Sequence, residues 1–187
     1  MPDLTVRVAY RCSRKWLADA LPQRWLHVRA VARRASGAAF LPGGERQLLI
    51  CAALLHDIGY SPLLADHGFH PLDGALYLRH IGASERLCAL VARHSCAYSE
   101  AELRGLTLEL AQWPDEQTST RDALWWADMT TGPDGESVSV HQRIAEIQAR
   151  YGPNDLVTVF IRQAEPELVA AVERTEARLR AAGVEVR

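Results

Sequence analysis

An apolar run, Leu48-Leu49-Ile50-Cys51-Ala52-Ala53-Leu54-Leu55, closes on two polar side chains, His56 and Asp57. Burying an imidazole and a carboxylate without strong partners is costly. A divalent first-row ion compensates this pair best, because a neutral imidazole nitrogen and a carboxylate oxygen are both ordinary ligands for it. The other reading is that the two side chains hydrogen-bond each other at a helix end. Three further residues bear on the choice. His94 follows Val91, Leu90 and Leu87 by three, four and seven positions and so shares their apolar face. Asp128 stands three and four positions after Trp125 and Leu124, and His27 is followed at the same offsets by Ala30 and Val31. Each alone fits a satisfied core residue. Together, five nitrogen or oxygen donors on four helices can supply a metal site of the kind built inside helical bundles.

Positioning these donors falls to a chain that reads as nearly all-helical, with periodic apolar residues punctuated by Gly and Pro. Pro22 opens a helix running to about Ser36, with Gly37 as its stop. A second helix spans about Gly44 to Ile58, ends at Gly59 and Pro62, and is buried on most sides. His70-Pro71 begins a third, which ends near Gly82, and Ser84 caps a fourth that reaches His94. More helices are predicted around 100–112, 119–130, 138–150 and 165–182, with turns at Pro114, Gly132-Pro133-Asp134-Gly135 and Gly152-Pro153. No repeat or long linker divides the chain. The expectation is one domain over residues 1–187, with a motif core at about 20–130 and C-terminal helices over about 133–187 packed on it. Leu168, Val169, Val172 and Leu179 form the stripe for that packing, and a homodimer contact is its alternative use.

Composition narrows the function classes. A net charge of −2 leaves no electrostatic footprint for nucleic acid or an anionic membrane. Twenty of the 21 basic residues are Arg, a bias from which no function follows. Cys12, Cys51, Cys88 and Cys96 lack the C-x-x-C spacing of zinc or redox sites and read as reduced core thiols. No signal segment or membrane span is recognisable, so a cytoplasmic location is expected.

The order His27, then His56-Asp57 within A-A-L-L-H-D-I-G, then Asp128 within W-W-A-D-M, resembles the HD superfamily of metal-dependent phosphohydrolases. Arg24-Trp25-Leu26-His27 is similar to that family's opening Arg-x-x-His segment. His70-Pro71-Leu72-Asp73-Gly74-Ala75 resembles the H-P-x-x-G-A segment of its two-metal branches, and His94 occupies the place of their next histidine. The resemblance covers about residues 20–130. It implies an all-α HD-domain bundle that binds one or two divalent ions, iron or manganese favoured. His27, His56, Asp57 and Asp128 would bind one ion; His70 and His94 would bind a second, bridged by Asp57, which is the residue assigned to catalysis. Such a pair polarises a phosphoryl oxygen and acidifies bound water to hydroxide for in-line attack on a nucleotide or other small phosphate ester.

Departures from the family pattern matter. Many members follow the HD pair with Lys, a phosphate contact, where this chain has Tyr60. Arg24 and Arg93 are then the candidate contacts to an anionic substrate, and Arg24 is the better placed, three residues before His27. His67 competes with His70 as the loop ligand but lacks the H-P-x-x-G-A context. The Glu-Asp pair of guanosine tetraphosphate hydrolases and the Gly-Tyr-Pro signature of cyclic-dinucleotide phosphodiesterases are absent. Two alternatives remain: a mixed-valent di-iron oxygenase resembling the inositol-oxygenase group, which Tyr60 fits, and a non-catalytic regulatory module.

Overall fold

The computed structural model describes residues 4–41 and 45–185, and among these no sheet forms. The helices are α1 (Val6–Leu17), α2 (Pro22–Ala38), α3 (Arg46–Leu55), α4 (His70–His80), α5 (Glu85–Ala92), α6 (Ala97–Arg104), α7 (Thr107–Leu110), α8 (Ser119–Met129), α9 (Val140–Tyr151) and α10 (Leu156–Ala181). Short 3-10 turns at Ile58–Tyr60 and His94–Cys96 interrupt the series. The fold class is all-α, as the apolar periodicity requires. One isolated antiparallel bridge, Thr131 to Ser137, closes the turn that joins α8 to α9.

Two helices form the centre. In α3 every residue from Leu48 to Leu55 is buried except Ile50, and in α8 every residue from Thr120 to Met129 is buried. Buried apolar residues from Ala9 in α1 to Leu179 in α10 form one large cluster, beside a smaller one of Leu17, Trp25 and Val28. At about 25 cal/mol per Å² of apolar area removed from water, such a cluster is the main favourable contribution to the fold. The C-terminal stripe is engaged by the chain itself: Leu168, Val172 and Leu179 are buried, and Val169 packs against the same cluster. Ion pairs also fasten α10 to α8, since Asp122 accepts from Arg174 and Arg178, and Arg121 reaches Glu167.

Several boundaries differ from the sequence expectation. Gly37 does not stop α2, which runs through it to Ala38. The predicted start of α3 at Gly44 lies outside the described residues; its end comes at Leu55, before His56-Asp57 instead of after them. The 100–112 segment is two helices, parted where Gly105 adopts φ 70 as the left-handed stop of α6. Helix α10 begins at Leu156 and continues through Pro166, whose missing N–H costs a single rung of a long, packed helix. Helix α1 was not anticipated; its run of Arg and Lys hides a narrow buried face of Ala9, Ser13 and Leu17. No described helix is long and apolar enough to cross a membrane, and all four cysteines are free thiols.

Candidate metal centre

The end of α3 separates the HD pair. His56 still has helical angles, whereas Asp57 leaves the helix at φ −99 and ψ 8 and leads into the Ile58–Tyr60 turn. That turn lies directly on the first turn of α4. A Cβ at Gly59 would sit 2.1 Å from the His70 carbonyl oxygen and 2.6 Å from the Gly74 nitrogen, so only glycine fits there. Gly74 answers from the other side, where a Cβ would lie 3.3 Å from the Gly59 nitrogen. The paired glycines bring His70 beside Asp57.

The preceding loop is tied by Asp73. Its carboxylate accepts from the backbone nitrogens of His67 (2.9 Å) and Phe69 (3.1 Å), and His67 Nδ1 lies 2.8 Å from it. His67 thus bonds within the loop, while His70 enters the cluster. Past α5, Ser95 and Cys96 both take left-handed angles, φ 47 and φ 60. Such backbone is uncommon outside glycine and costs on the order of 1 kcal/mol or more per residue. Here it turns His94 inward and sends the Ser95 hydroxyl 2.6 Å to Asp128 Oδ2.

Around Asp57 the donors fall into two groups. Its Oδ2 is 3.4 Å from His56 Nε2 and 3.9 Å from His27 Nε2. Asp128 Oδ1 completes this side, 3.1 Å from His27 Nε2 and 3.8 Å from His56 Nε2. The other oxygen, Oδ1, faces His70 Nε2 at 3.4 Å and His94 Nε2 at 3.9 Å. His70 and His94 place their Nε2 atoms 3.1 Å apart. Three of the imidazoles are tethered from behind: Nδ1–H donates to the carbonyls of Gly132 from His27 (3.0 Å), Ala53 from His56 (2.9 Å) and Val91 from His94 (2.6 Å). Such bonds commit Nδ1 and leave Nε2 as the nitrogen that each ring turns toward the cluster.

This arrangement fits a cation. His56 Nε2 is buried without a hydrogen-bond partner among the described residues. Ligand atoms about 2.0–2.2 Å from a shared first-row ion stand about 3.0 Å apart at a right angle and about 3.4 Å at a tetrahedral one. The observed separations run from 3.1 to 3.9 Å. Two groups, His27/His56/Asp57 and Asp57/His70/His94, could each hold an ion, with Asp57 common to both.

The electrostatics agree. Burial would raise the Asp57 carboxyl, but the positive neighbours His56 and Arg24 outweigh it and hold the group well below the usual carboxylate range. Asp128 is depressed in the same way, with the His27 hydrogen bond and His56 overcoming burial. Burial also disfavours a charged His56, yet Asp57 and Asp128 push it up to about 9, so the cluster draws positive charge to its centre. His70 and His94 are shifted below the usual histidine value, first by burial and then by positive neighbours. Neutral imidazole is the form that binds metal.

A cleft of about 590 Å³, counted to its open mouth, exposes Asp57, His70, His94 and Asp128 from above, and Met129, Phe160 and Ile161 contribute apolar wall. His27 and His56 lie deeper and are almost fully buried. Arg24 reaches in as its helix position predicts, donating from Nη1 to Asp57 Oδ2 at 2.8 Å and lying 4.0 Å over the Tyr60 ring. Tyr60, in the position of the family's Lys, stacks on His70 with ring centroids 3.9 Å apart. Arg93 is not brought to the cluster. It caps the C-terminus of α5 one residue before His94, and its Nε and Nη2 donate to the carbonyls of Trp113 (2.7 Å) and Leu110 (3.2 Å). Sequence reasoning missed Arg143, Arg150 and Tyr151 of α9, which line the same cleft. The available signal was Arg143 set among Val140, Ile144 and Ile147 on one helical face.

Comparison with known families finds a match to the description "HD domain" over residues 24–145, more than half of the chain and inclusive of every residue of the cluster. No curated protein and no solved structure matches the chain.

Proposed function

The chain belongs to the HD domain family, a superfamily of metal-dependent phosphohydrolases, and from that premise we propose that it hydrolyses a small phosphate ester or nucleotide at the Asp57 cluster. The observation that carries this reading is Asp57 itself, a buried carboxylate whose two oxygens face separate histidine groups at the floor of an open cleft. His27, His56, Asp57 and Asp128 would hold one divalent ion and His70 and His94, with Asp57, a second; iron or manganese suits this mixture of imidazole and carboxylate. Bound there, such ions supply Lewis acidity toward a phosphoryl oxygen and acidify water.

The chain's own residues do the rest. Backbone carbonyls of Gly132, Ala53 and Val91 keep three imidazoles in the binding tautomer. Arg24 holds a positive charge beside Asp57: burial works against it, but Asp57 raises its pKa above the ordinary value, so it stays charged to meet an anionic substrate. Phe160 and Ile161 restrict water on the far wall. The test is phosphate release from a panel of nucleotides and phosphomonoesters by manganese- or iron-loaded protein. Release that disappears in Asp57→Asn supports the reading, and no release from any compound overturns it.

Tyr60 favours a second reading, that of a di-iron oxygenase, because an aromatic ring stacked on His70 takes the place of a phosphate-binding Lys. Substrate-dependent oxygen consumption by the iron-loaded protein would support it. Turnover with manganese under anaerobic conditions would exclude it.

A further inference from the structure

Beside the main cleft lies a smaller hollow of about 240 Å³, counted to its open mouth, lined by Gln23, Arg24, His27, Pro133, Arg143 and Arg150. Three arginines, a glutamine and a histidine line it, and among the described residues no Asp or Glu does. Arg24, Arg143 and Arg150 line both cavities and so form the partition between them. Nearby acidic groups neutralise this partition incompletely. Asp57 accepts from Arg24, and among the described residues Glu146 alone serves the other two: its Oε2 is 2.5 Å from Arg143 Nη1 and its Oε1 is 3.4 Å from Arg150 Nε. Arg143 is the informative member, because its side chain is only 4% exposed and its buried Nε has no hydrogen-bond partner among the described residues. A buried guanidinium with an idle donor is costly unless an acceptor meets it.

We propose that Arg24, Arg143 and Arg150 form a pocket for the phosphoryl group of the substrate, whose organic part then lies against the apolar wall of Ile147, Phe160 and Ile161. A planar guanidinium matches the paired oxygens of a phosphoryl group, and three of them from two helices, α2 and α9, suit a tetrahedral dianion. The position of Arg24, bonded to Asp57 on one side and facing the small cavity on the other, sets such a group next to the metal centre. The substrate class follows: a phosphomonoester with an apolar or aromatic alcohol. This assignment rests on the phosphohydrolase reading for its chemistry but not for its binding step.

Isothermal titration of the metal-loaded protein with inorganic phosphate and with phenylphosphonate, which cannot be hydrolysed at its P–C bond under these conditions, tests the pocket. Phenylphosphonate should bind more tightly than phosphate. Arg143→Gln and Arg150→Gln should each weaken both by about tenfold or more at unchanged metal content, while Arg143→Lys retains part of the affinity. Arg150 is 37% exposed on its side chain, so its variant keeps the test sharp even where Arg143→Gln folds poorly. Equal affinity of Arg150→Gln and wild type for both probes overturns the pocket, as does an unchanged KM of that variant for any ester the enzyme cleaves. Arg-dependent binding without phosphate release from any ester would leave the pocket standing and sink the phosphohydrolase reading alone.

Discussion

Ser95 donates its hydroxyl to Asp128 Oδ2 at 2.6 Å from a backbone held at φ 47 and ψ 48. The bond orients the carboxylate so that Oδ1 is left to His27 and His56. Strained, non-glycine backbone persists where surrounding structure fixes it, and here the return is the aim of Asp128. Ser95→Ala should keep the fold yet weaken metal binding by about 10–100-fold, the usual effect of removing a group that orients a ligand. Competition with a chelator of known affinity measures this. Retained wild-type affinity would make the serine incidental to the centre.

Asp57 is predicted to be common to both metal positions, since its oxygens face different histidine pairs. Elemental analysis of Asp57→Ala should find both ions lost. His70→Ala or His94→Ala should lower occupancy at one position only. Full occupancy in Asp57→Ala would end the bridging assignment.

Gly59→Ala is predicted to damage the site from a distance. The added methyl would meet backbone atoms, the His70 carbonyl oxygen at 2.1 Å and the Gly74 nitrogen at 2.6 Å, and neither can swing aside like a side chain. Overpacking of this kind costs about 1–3 kcal/mol, and relief requires α4 to move off the turn and carry His70 with it. Thermal unfolding should register the loss of stability, and metal titration should register weaker binding on the His70 side. A variant with the melting temperature and metal content of wild type would contradict the close packing.

Part of this site was legible because helical periodicity is a strong signal. Asp128 beside Leu124 and Trp125 follows from offsets of three and four, whereas the helix expected to reach His94 ends at Ala92 and leaves His94 in the turn that follows. Legibility stopped where function depends on irregular backbone. Nothing in His94-Ser95-Cys96 announces two consecutive left-handed residues, and the turn that follows Asp57 is packed on α4 through Gly59 and Gly74, an approach that helical periodicity does not encode. Arg93 and Arg143 mark the same boundary from opposite sides. Adjacency to His94 made Arg93 a candidate, although its guanidinium serves the carbonyls of Leu110 and Trp113. Arg143 sat on the apolar face of α9, but the partner of that face is α10 and the cleft, which sequence spacing cannot specify.

Helix α10, which walls the cleft through Phe160 and Ile161, is fastened to α8 by charge. Asp122 of α8 accepts from Arg174 Nε at 2.8 Å and Nη2 at 2.7 Å and from Arg178 Nη1 at 2.9 Å. Burial by itself would raise the Asp122 carboxyl; the two arginines outweigh it, and the folded-state value lies below the ordinary one. A depressed carboxylate contributes stability that is complete above its unfolded pKa of about 3.9 and is lost as pH falls through the folded value. Because Arg174 and Arg178 are 44% and 39% exposed, solvent screening limits the contribution to about 1–2 kcal/mol. Asp122→Asn should therefore be less stable than wild type at pH 7, and the difference between the two should shrink as the medium is acidified below about pH 4. Denaturant unfolding of both proteins across that range checks the sign. A difference that stayed constant from neutral to strongly acidic pH would mean that Asp122 acts by packing rather than by charge.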